Sequence, residues 1–434
     1  MSATSTHRVW GLALLLLAAN TLSFIDRTLL TLLVAPIRAD LGISDTVISL
    51  LHGLSFAALY AVMGLPLGRW ADRGDRPRLM AGGVGLWSLM TLASGAATSV
   101  GLLAAARAGV AVGEASLSPA AVSLLAERMP RAIVGRAIAL FQSGIFLGSA
   151  LALMAGGSLL RWFEAVAPSS LGAFAGYAPW RLVFFAAGAP GLLVALLLIF
   201  VREPRRAQAA APQHEPPSFR ALREQIRRHR DAYVWHLVAF TAITVLAYGA
   251  LAWVPTMLIR VHHIRTAEAG LWLGGILLIA GPLGVMASGT LVDRYLARGV
   301  ADAPLRVGAG GLVLLAGAIP AYAFAPSVPV ALLSFVPLAF GLGFPYGIAS
   351  GALALITPPS LRGQISALYL MISNLIGMTF GPLLVALLTD RVFHDDLAVR
   401  YSLALLPVVT VPIAAVALFR CRAPFAAAWR EASA

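Results

Sequence analysis

Gly68-Arg-Trp-Ala-Asp72-Arg73-Gly-Asp-Arg76-Pro-Arg78 closes one long apolar run, and Gly289-Thr-Leu-Val-Asp293-Arg294 closes another. The Gly-x-x-x-Asp-Arg core recurs with its glycine and its aspartate each displaced by 221 residues, about half of the 434-residue chain. Both copies fall at the end of the second apolar run of their half, which predicts parallel repeats related by an axis along a membrane normal. The residue types suit a helix end that meets a neighbour: glycine lets helices approach closely, and aspartate can meet an arginine or a helix N-terminus across the contact.

Working outward, 59% of the residues are hydrophobic and only 12% charged, against roughly 25% charged in a soluble domain, which excludes a soluble globular enzyme. Runs long enough to cross a bilayer are expected near 10–36, 46–68, 79–99, 101–126, 137–160 and 181–201, then near 233–259, 268–291, 305–324, 328–356, 364–389 and 398–419. The first run is too long for a cleaved signal peptide and carries Asp26-Arg27 inside it, so it is expected to stay in the mature protein. The expected fold is an all-α membrane protein of twelve transmembrane helices in two pseudo-symmetric six-helix bundles, residues 1–201 and 232–434. A linker at 202–231 joins them. Its stretch "REPRRAQAAAPQHEPP" lacks any apolar period and reads as loosely held, while Phe219, Leu222 and Ile226 share one helical face among arginines, which suits a short helix on the cytoplasmic leaflet as well as a solvated basic linker.

All 32 basic residues are arginine, giving a net charge of +13. They sit singly or in small groups at the ends of apolar runs rather than on one face, so no nucleic-acid partner is expected. With the N-terminus inside, 23 arginines lie in cytoplasmic segments and 7 on the other side, which places both termini in the cytoplasm. A lone cysteine, Cys421, excludes an internal disulfide and multi-thiolate metal sites; no cofactor and no metal are expected. The arginine-only basic content and the absence of organelle signals favour a bacterial inner membrane, with the protein a monomer.

The chain resembles the major facilitator superfamily, whose loop between helices 2 and 3 is matched from Gly68 to Arg78, with the weaker copy from Gly289 to Arg294. The resemblance implies a secondary transporter of alternating access, and a conformational latch to which Gly68, Asp72, Arg73, Arg76, Asp293 and Arg294 belong. Asn20-Thr-Leu-Ser-Phe-Ile-Asp26-Arg27, Arg107 through Pro119, "WRLVFFAAGAPGLL" from Trp180 and "REPRR" from Arg202 are similar to the spinster branch. Spinster relatives in eukaryotes move lysophospholipids or sphingolipid derivatives, so the branch implies a lipid-like solute. Span 5 has Gly144-x-x-x-Gly148 and Gly156-Gly157 without the Gly-Pro pair of drug antiporters, which counts against a multidrug exporter.

Only Asp26 and Glu114 among the carboxylates lie well inside spans, accompanied by Arg27 and Arg107. An unpaired charge at the bilayer centre costs about 2.5–3.5 kcal/mol or more, so all four are expected to be paired or functional. The helical rise puts Asp26 about 24 Å above Trp10, at the height of Arg107, with Glu114 about 10 Å deeper on nearly the same face as Arg107. Asp26 can therefore pair with Arg107 while Glu114 faces the same cavity. The functional expectation is that Asp26 and Glu114 carry protons and that Arg27 and Arg107 exchange a carboxylate for an anionic substrate group; the alternative is a permanent ion-pair network fixing helices 1 and 4. Asn20, Tyr248, Trp253, Tyr346 and Asn374 are further cavity-lining candidates, and His52 reads as a packing or interfacial histidine.

The expected activity is proton-coupled transport of an amphipathic solute with an anionic or zwitterionic head; a sugar acid or aromatic acid is the alternative. A polytopic enzyme is disfavoured because the spans contain no His-Glu-x-x-His, Gly-x-Ser-x-Gly or paired intramembrane aspartates. A channel or a membrane sensor on the same scaffold would show no saturable, gradient-driven flux.

Overall fold

Every element among the described residues is helical apart from short turns. The structure, a computed structural model, describes residues 3–130, 133–166, 172–202 and 219–433. The first half contains α1 (Ala3–Leu32), α2 (Val34–Leu41), α3 (Asp45–His52), α4 (Leu54–Arg73), α5 (Arg76–Ala96), α6 (Val100–Glu114), α7 (Leu117–Arg128), α8 (Val134–Ala165) and α9 (Pro179–Ile199). Then follow α10 (Phe219–Arg228), α11 (Arg230–His262), α12 (Thr266–Ala297), α13 (Ala303–Ala323), α14 (Val328–Leu342), α15 (Phe344–Leu355), α16 (Arg362–Leu387) and α17 (Val399–Ser433). Twelve stretches among them are long and apolar enough to cross a membrane, and α3–α4, α6–α7 and α14–α15 each make one broken span.

Proline explains most of the breaks. It has no N–H to give the carbonyl four residues back, and its ring clashes there. Pro36 thus acts against Leu32, where α1 ends four residues short of the expected limit at 36; Pro119 acts against Ala115, between α6 and α7; Pro345 acts against Gly341, just before the break at Gly343. The break in the second span has no proline and falls at Gly53, with φ −92° and ψ −82°. Pro255, Pro282 and Pro382 lie inside continuous helices.

The chain divides into two compact units, one of residues 1–205 with 258–278 and one of 206–257 with 279–434. In the first, α1 packs along α8 and α5 packs along α9 and α6. Small residues set these distances. A Cβ at Gly148 would run into the Thr21 carbonyl oxygen and stand 2.8 Å from Phe24 Cβ, and one at Gly113 would stand 2.5 Å from the Gly83 carbonyl oxygen and 2.8 Å from the Trp87 nitrogen. Replacing such a glycine would push α1 away from α8 or α6 away from α5, so these contacts fix the rotation and height of the two helices that bear the buried charges.

Residues 258–278, which the sequence reading assigns to the second bundle, group with the first unit for a visible reason. Asp45 is fully buried and receives a bidentate pair from Arg260, at 2.6 and 2.7 Å, and a contact from Arg38 at 3.1 Å. Nearby, a Cβ at Gly274 would stand 2.6 Å from Met154 Cγ. Asp40 gathers a second set: Arg181 at 2.8 Å and the Trp180 indole at 3.1 Å, with Arg181 also donating to the Ala97 carbonyl. In the other unit α13 packs on α14 and α17, and α16 packs on α15 and α17, around Phe240, Phe335 and Phe425. The Tyr322 hydroxyl donates to the Val254 carbonyl at 2.8 Å, tying α13 to α11.

Candidate functional site

Asp26 and Arg27 are neighbours on α1, and their side chains leave the helix about 100° apart. Each finds a different partner on α6. Arg107 Nη1 donates to Asp26 Oδ2 at 2.7 Å, and Arg27 Nε donates to Glu114 Oε2 at 2.5 Å. The result is two crossed ion pairs between the same two helices, with no net charge.

Burial makes the pairs matter. The side chains of Arg107 and Asp26 are 1% and 4% exposed, and that of Glu114 is fully buried, while Arg27 keeps 15%. The Thr91 hydroxyl on α5 lies 2.7 Å from Asp26 Oδ1 and 2.9 Å from the Trp87 carbonyl, both acceptors for its one proton. Among the described residues Oε1 of Glu114 and Nε of Arg107 have no hydrogen-bond partner. A buried carboxylate oxygen and a buried guanidinium N–H are therefore both underused, which is costly unless a proton or a ligand group meets them.

Arg27 has a second set of contacts. Its guanidinium carbon stands 4.9, 4.7 and 4.9 Å from the ring centres of Phe24, Phe56 and Tyr60, and the last two rings stack on each other at 5.6 Å. Three aromatic faces around one cation hold it by attraction to the ring quadrupoles. The sequence reading missed these rings and Thr91. A signal was present in the i, i+4 spacing of Phe56 and Tyr60 and in Phe24 three residues before Arg27, but it could not be told from ordinary core packing. His52, expected as a packing residue, lies within electrostatic reach of both Arg107 and Arg27, and its Nδ1 has no partner among the described residues.

The other named positions are dispersed. Asn20 is 2% exposed and donates to the Phe141 carbonyl at 2.8 Å; Trp253 is equally buried and donates to the Pro382 carbonyl at 2.9 Å. Both amide and indole groups thus satisfy backbone carbonyls of neighbouring helices. Tyr248 donates to Asn374 Oδ1 at 3.2 Å, which joins two of the candidates, and Tyr346 is 46% exposed.

At the repeated motif, Gly68 lies in the last turns of α4 and Asp75 caps α5 by accepting from the Arg78 backbone N–H at 2.9 Å. The side chains of Asp72 and Arg73 lie outside the described residues. Arg76 is buried and donates to Ser123 Oγ at 2.9 Å and to Glu127, so this arginine ties the loop to α7. In the second copy Asp293 and Arg294 are exposed on α12, and a Cβ at Gly68 or at Gly289 would meet open space, so neither motif glycine marks the close helix approach expected from the sequence.

Comparison with known proteins places these features. Residues 16–382 match the family model described as Major Facilitator Superfamily. A Mycolicibacterium smegmatis protein named MFS-type efflux pump is 31% identical over 93% of this chain and 90% of its own length. Human protein spinster homolog 1 is 28% identical over 86% of this chain and 71% of its own length. Among solved structures, a bacterial homologue of the human lysosomal transporter spinster, in an inward-facing and unoccupied conformation, aligns over 100% of this chain and 96% of its own with a TM-score of 0.78 and 26% identity.

Proposed function

The chain belongs to the major facilitator superfamily and is a multi-pass membrane transporter, not an enzyme, and from that premise we propose that it is a proton-coupled secondary active transporter working by alternating access. The observation that carries the reading is the crossed pairing of Asp26 with Arg107 and of Glu114 with Arg27 inside one bundle. Asp26 and Glu114 take and release protons. Protonating Glu114 takes this negative partner from Arg27, so an anionic substrate group can claim the guanidinium; protonating Asp26 does the same for Arg107. A proton and a substrate anion then bias the same equilibrium between two states through differential interactions.

The substrate in this reading is amphipathic, with an anionic or zwitterionic head for the arginines and an apolar part for aromatic walls, and the likeness to spinster proteins supports a lipid-like solute. A second reading, export of amphipathic compounds, is favoured by the mycobacterial relative that bears the name of an efflux pump. Asn20, Tyr248, Trp253, Tyr346 and Asn374 remain candidates for lining the path. Gly68, Asp72, Arg73, Arg76, Asp293 and Arg294 act as the latch, the first copy through the Arg76–Glu127 tie. The protein works as a monomer in a bacterial inner membrane, with halves 1–201 and 232–434, linker 202–231 and both termini cytoplasmic.

The test is uptake and release in proteoliposomes under a pH gradient of either sign, with a lysolipid and an organic acid as solutes and an internal pH dye as the second readout. Solute-dependent proton movement in the wild type, lost in Asp26→Asn and Glu114→Gln, is expected. Unaltered proton-driven flux in both variants would overturn the assignment of the two carboxylates.

A further inference from the structure

α10 is separated from α11 by His229 alone. Since α11 begins a membrane span, α10 ends at the boundary between water and lipid. Its side chains fall into two stripes. Leu222, Gln225 and Ile226 are half-buried, as is His229 one turn further on. Gln225 Nε2 donates to the Tyr233 hydroxyl at 3.2 Å and to the Ile356 carbonyl at 3.4 Å, which pins this stripe to α11 and to the residue after α15. At the end that joins α11, Arg228 pairs with Glu431 of α17, and His229 Nε2 stands 3.6 Å from the same carboxylate.

The opposite stripe holds Arg220, Arg223 and Arg227, followed by Arg230, all exposed and without an ion pair among the described residues. Glu224 is the single acid among them. A docked inner face fixes the helix rotation, so these guanidinium groups cannot turn inward to find carboxylates. On the adjoining tail of α17, Arg420 and Arg430 are exposed as well, while Arg422 is paired with Asp302. Guanidinium forks match phosphate oxygens two at a time, and a headgroup layer is the source of phosphate at this depth.

We propose that the arginine stripe of α10 is a binding surface for the headgroups of anionic phospholipids. Each arginine near an anionic surface contributes about a fivefold preference, so three at spacings of three and four residues select anionic over zwitterionic lipid strongly. The surface is separate from the buried charges on α1 and α6 and does not depend on how transport is driven.

Native mass spectrometry of the full-length protein, titrated with phosphatidylglycerol or phosphatidylcholine, tests this. The wild type is expected to bind phosphatidylglycerol at least tenfold more tightly, and Arg220→Gln/Arg223→Gln/Arg227→Gln to lose at least tenfold of that affinity with phosphatidylcholine binding unchanged. Equal binding of the two lipids by the wild type, or a triple variant within twofold of wild type, would overturn the proposal. So would displacement of phosphatidylglycerol by millimolar inorganic phosphate, which would make free phosphate the ligand. If the triple variant fails to fold, Arg223→Gln alone should weaken phosphatidylglycerol binding about fivefold, and an unchanged affinity would refute the assignment.

Discussion

Neutralising one acid of each crossed pair should destabilise the protein unequally. Asp26→Asn leaves Arg107, whose side chain is 1% exposed, whose ion-pair partner among the described residues is Asp26 and whose Nε lacks an acceptor there. At an effective dielectric constant of about 20 and a charge separation of about 4 Å, the lost attraction is about 4 kcal/mol. Breaking a buried pair from one side typically costs about 3–5 kcal/mol because the remaining charge stays uncompensated. Glu114→Gln removes a carboxylate from Arg27 instead, but Arg27 is 15% exposed and faces three rings at 4.7–4.9 Å. Partial resolvation and the ring contacts, each worth about 0.5–1 kcal/mol at a partly exposed site, should hold its loss to about 1–3 kcal/mol. Equilibrium unfolding in mixed detergent and dodecyl sulfate micelles measures both. A further variant, Asp26→Asn/Arg107→Met, should recover most of the loss, since removing both charges avoids the stranded cation. If Glu114→Gln costs as much as Asp26→Asn or more, the rings are not supporting Arg27 and the reasoning fails. If the double variant is no better than the single one, burial of an unpaired charge was not the cause.

Asp45→Asn is expected to cost about 3–5 kcal/mol in the same assay, because it removes the fully buried carboxylate that Arg260 and Arg38 share; a loss below about 1 kcal/mol would refute the weight given to this cluster. Burial raises the carboxyl of Asp302, outside the spans, but hydrogen bonds from Arg422 at 2.6 Å and Arg306 at 2.8 Å outweigh it and hold it below its ordinary value. A folded value lowered in this way adds stability above the unfolded value of about 3.9, and that stability is lost as pH falls through the lowered folded value. Asp302→Asn should flatten the dependence of unfolding on pH below about 4, and an unchanged slope would refute the assignment.

Helix number was legible because length and hydropathy are properties of the chain read in one dimension, and the 221-residue offset between Gly68 and Gly289 is another. The rise per residue also set Asp26 and Arg107 at one height, and the structure has them 2.7 Å apart. For Glu114 the same arithmetic stopped at a shared face with Arg107. Its actual partner, Arg27, starts one residue after Asp26 and spans the difference in depth with a long side chain, a reach that axial rise does not encode.

Asp45 shows the same limit from another direction. Read along the chain it is an ordinary acid at a helix start, and Arg38 and Arg260 are two cations outside the spans; folded, they close on one buried carboxylate. Composition, apolar run length and the repeated motif determined by themselves that this is a twelve-span membrane protein built of two repeats, and the resemblance of that motif pointed to the major facilitator superfamily. Tertiary structure alone decided which arginine meets which acid, that Phe24, Phe56 and Tyr60 converge on Arg27, and that the α10 arginines face away from the protein. Those outcomes depend on how each helix is rotated and how deep it sits, and both are set by glycine contacts and proline breaks between segments far apart in the chain.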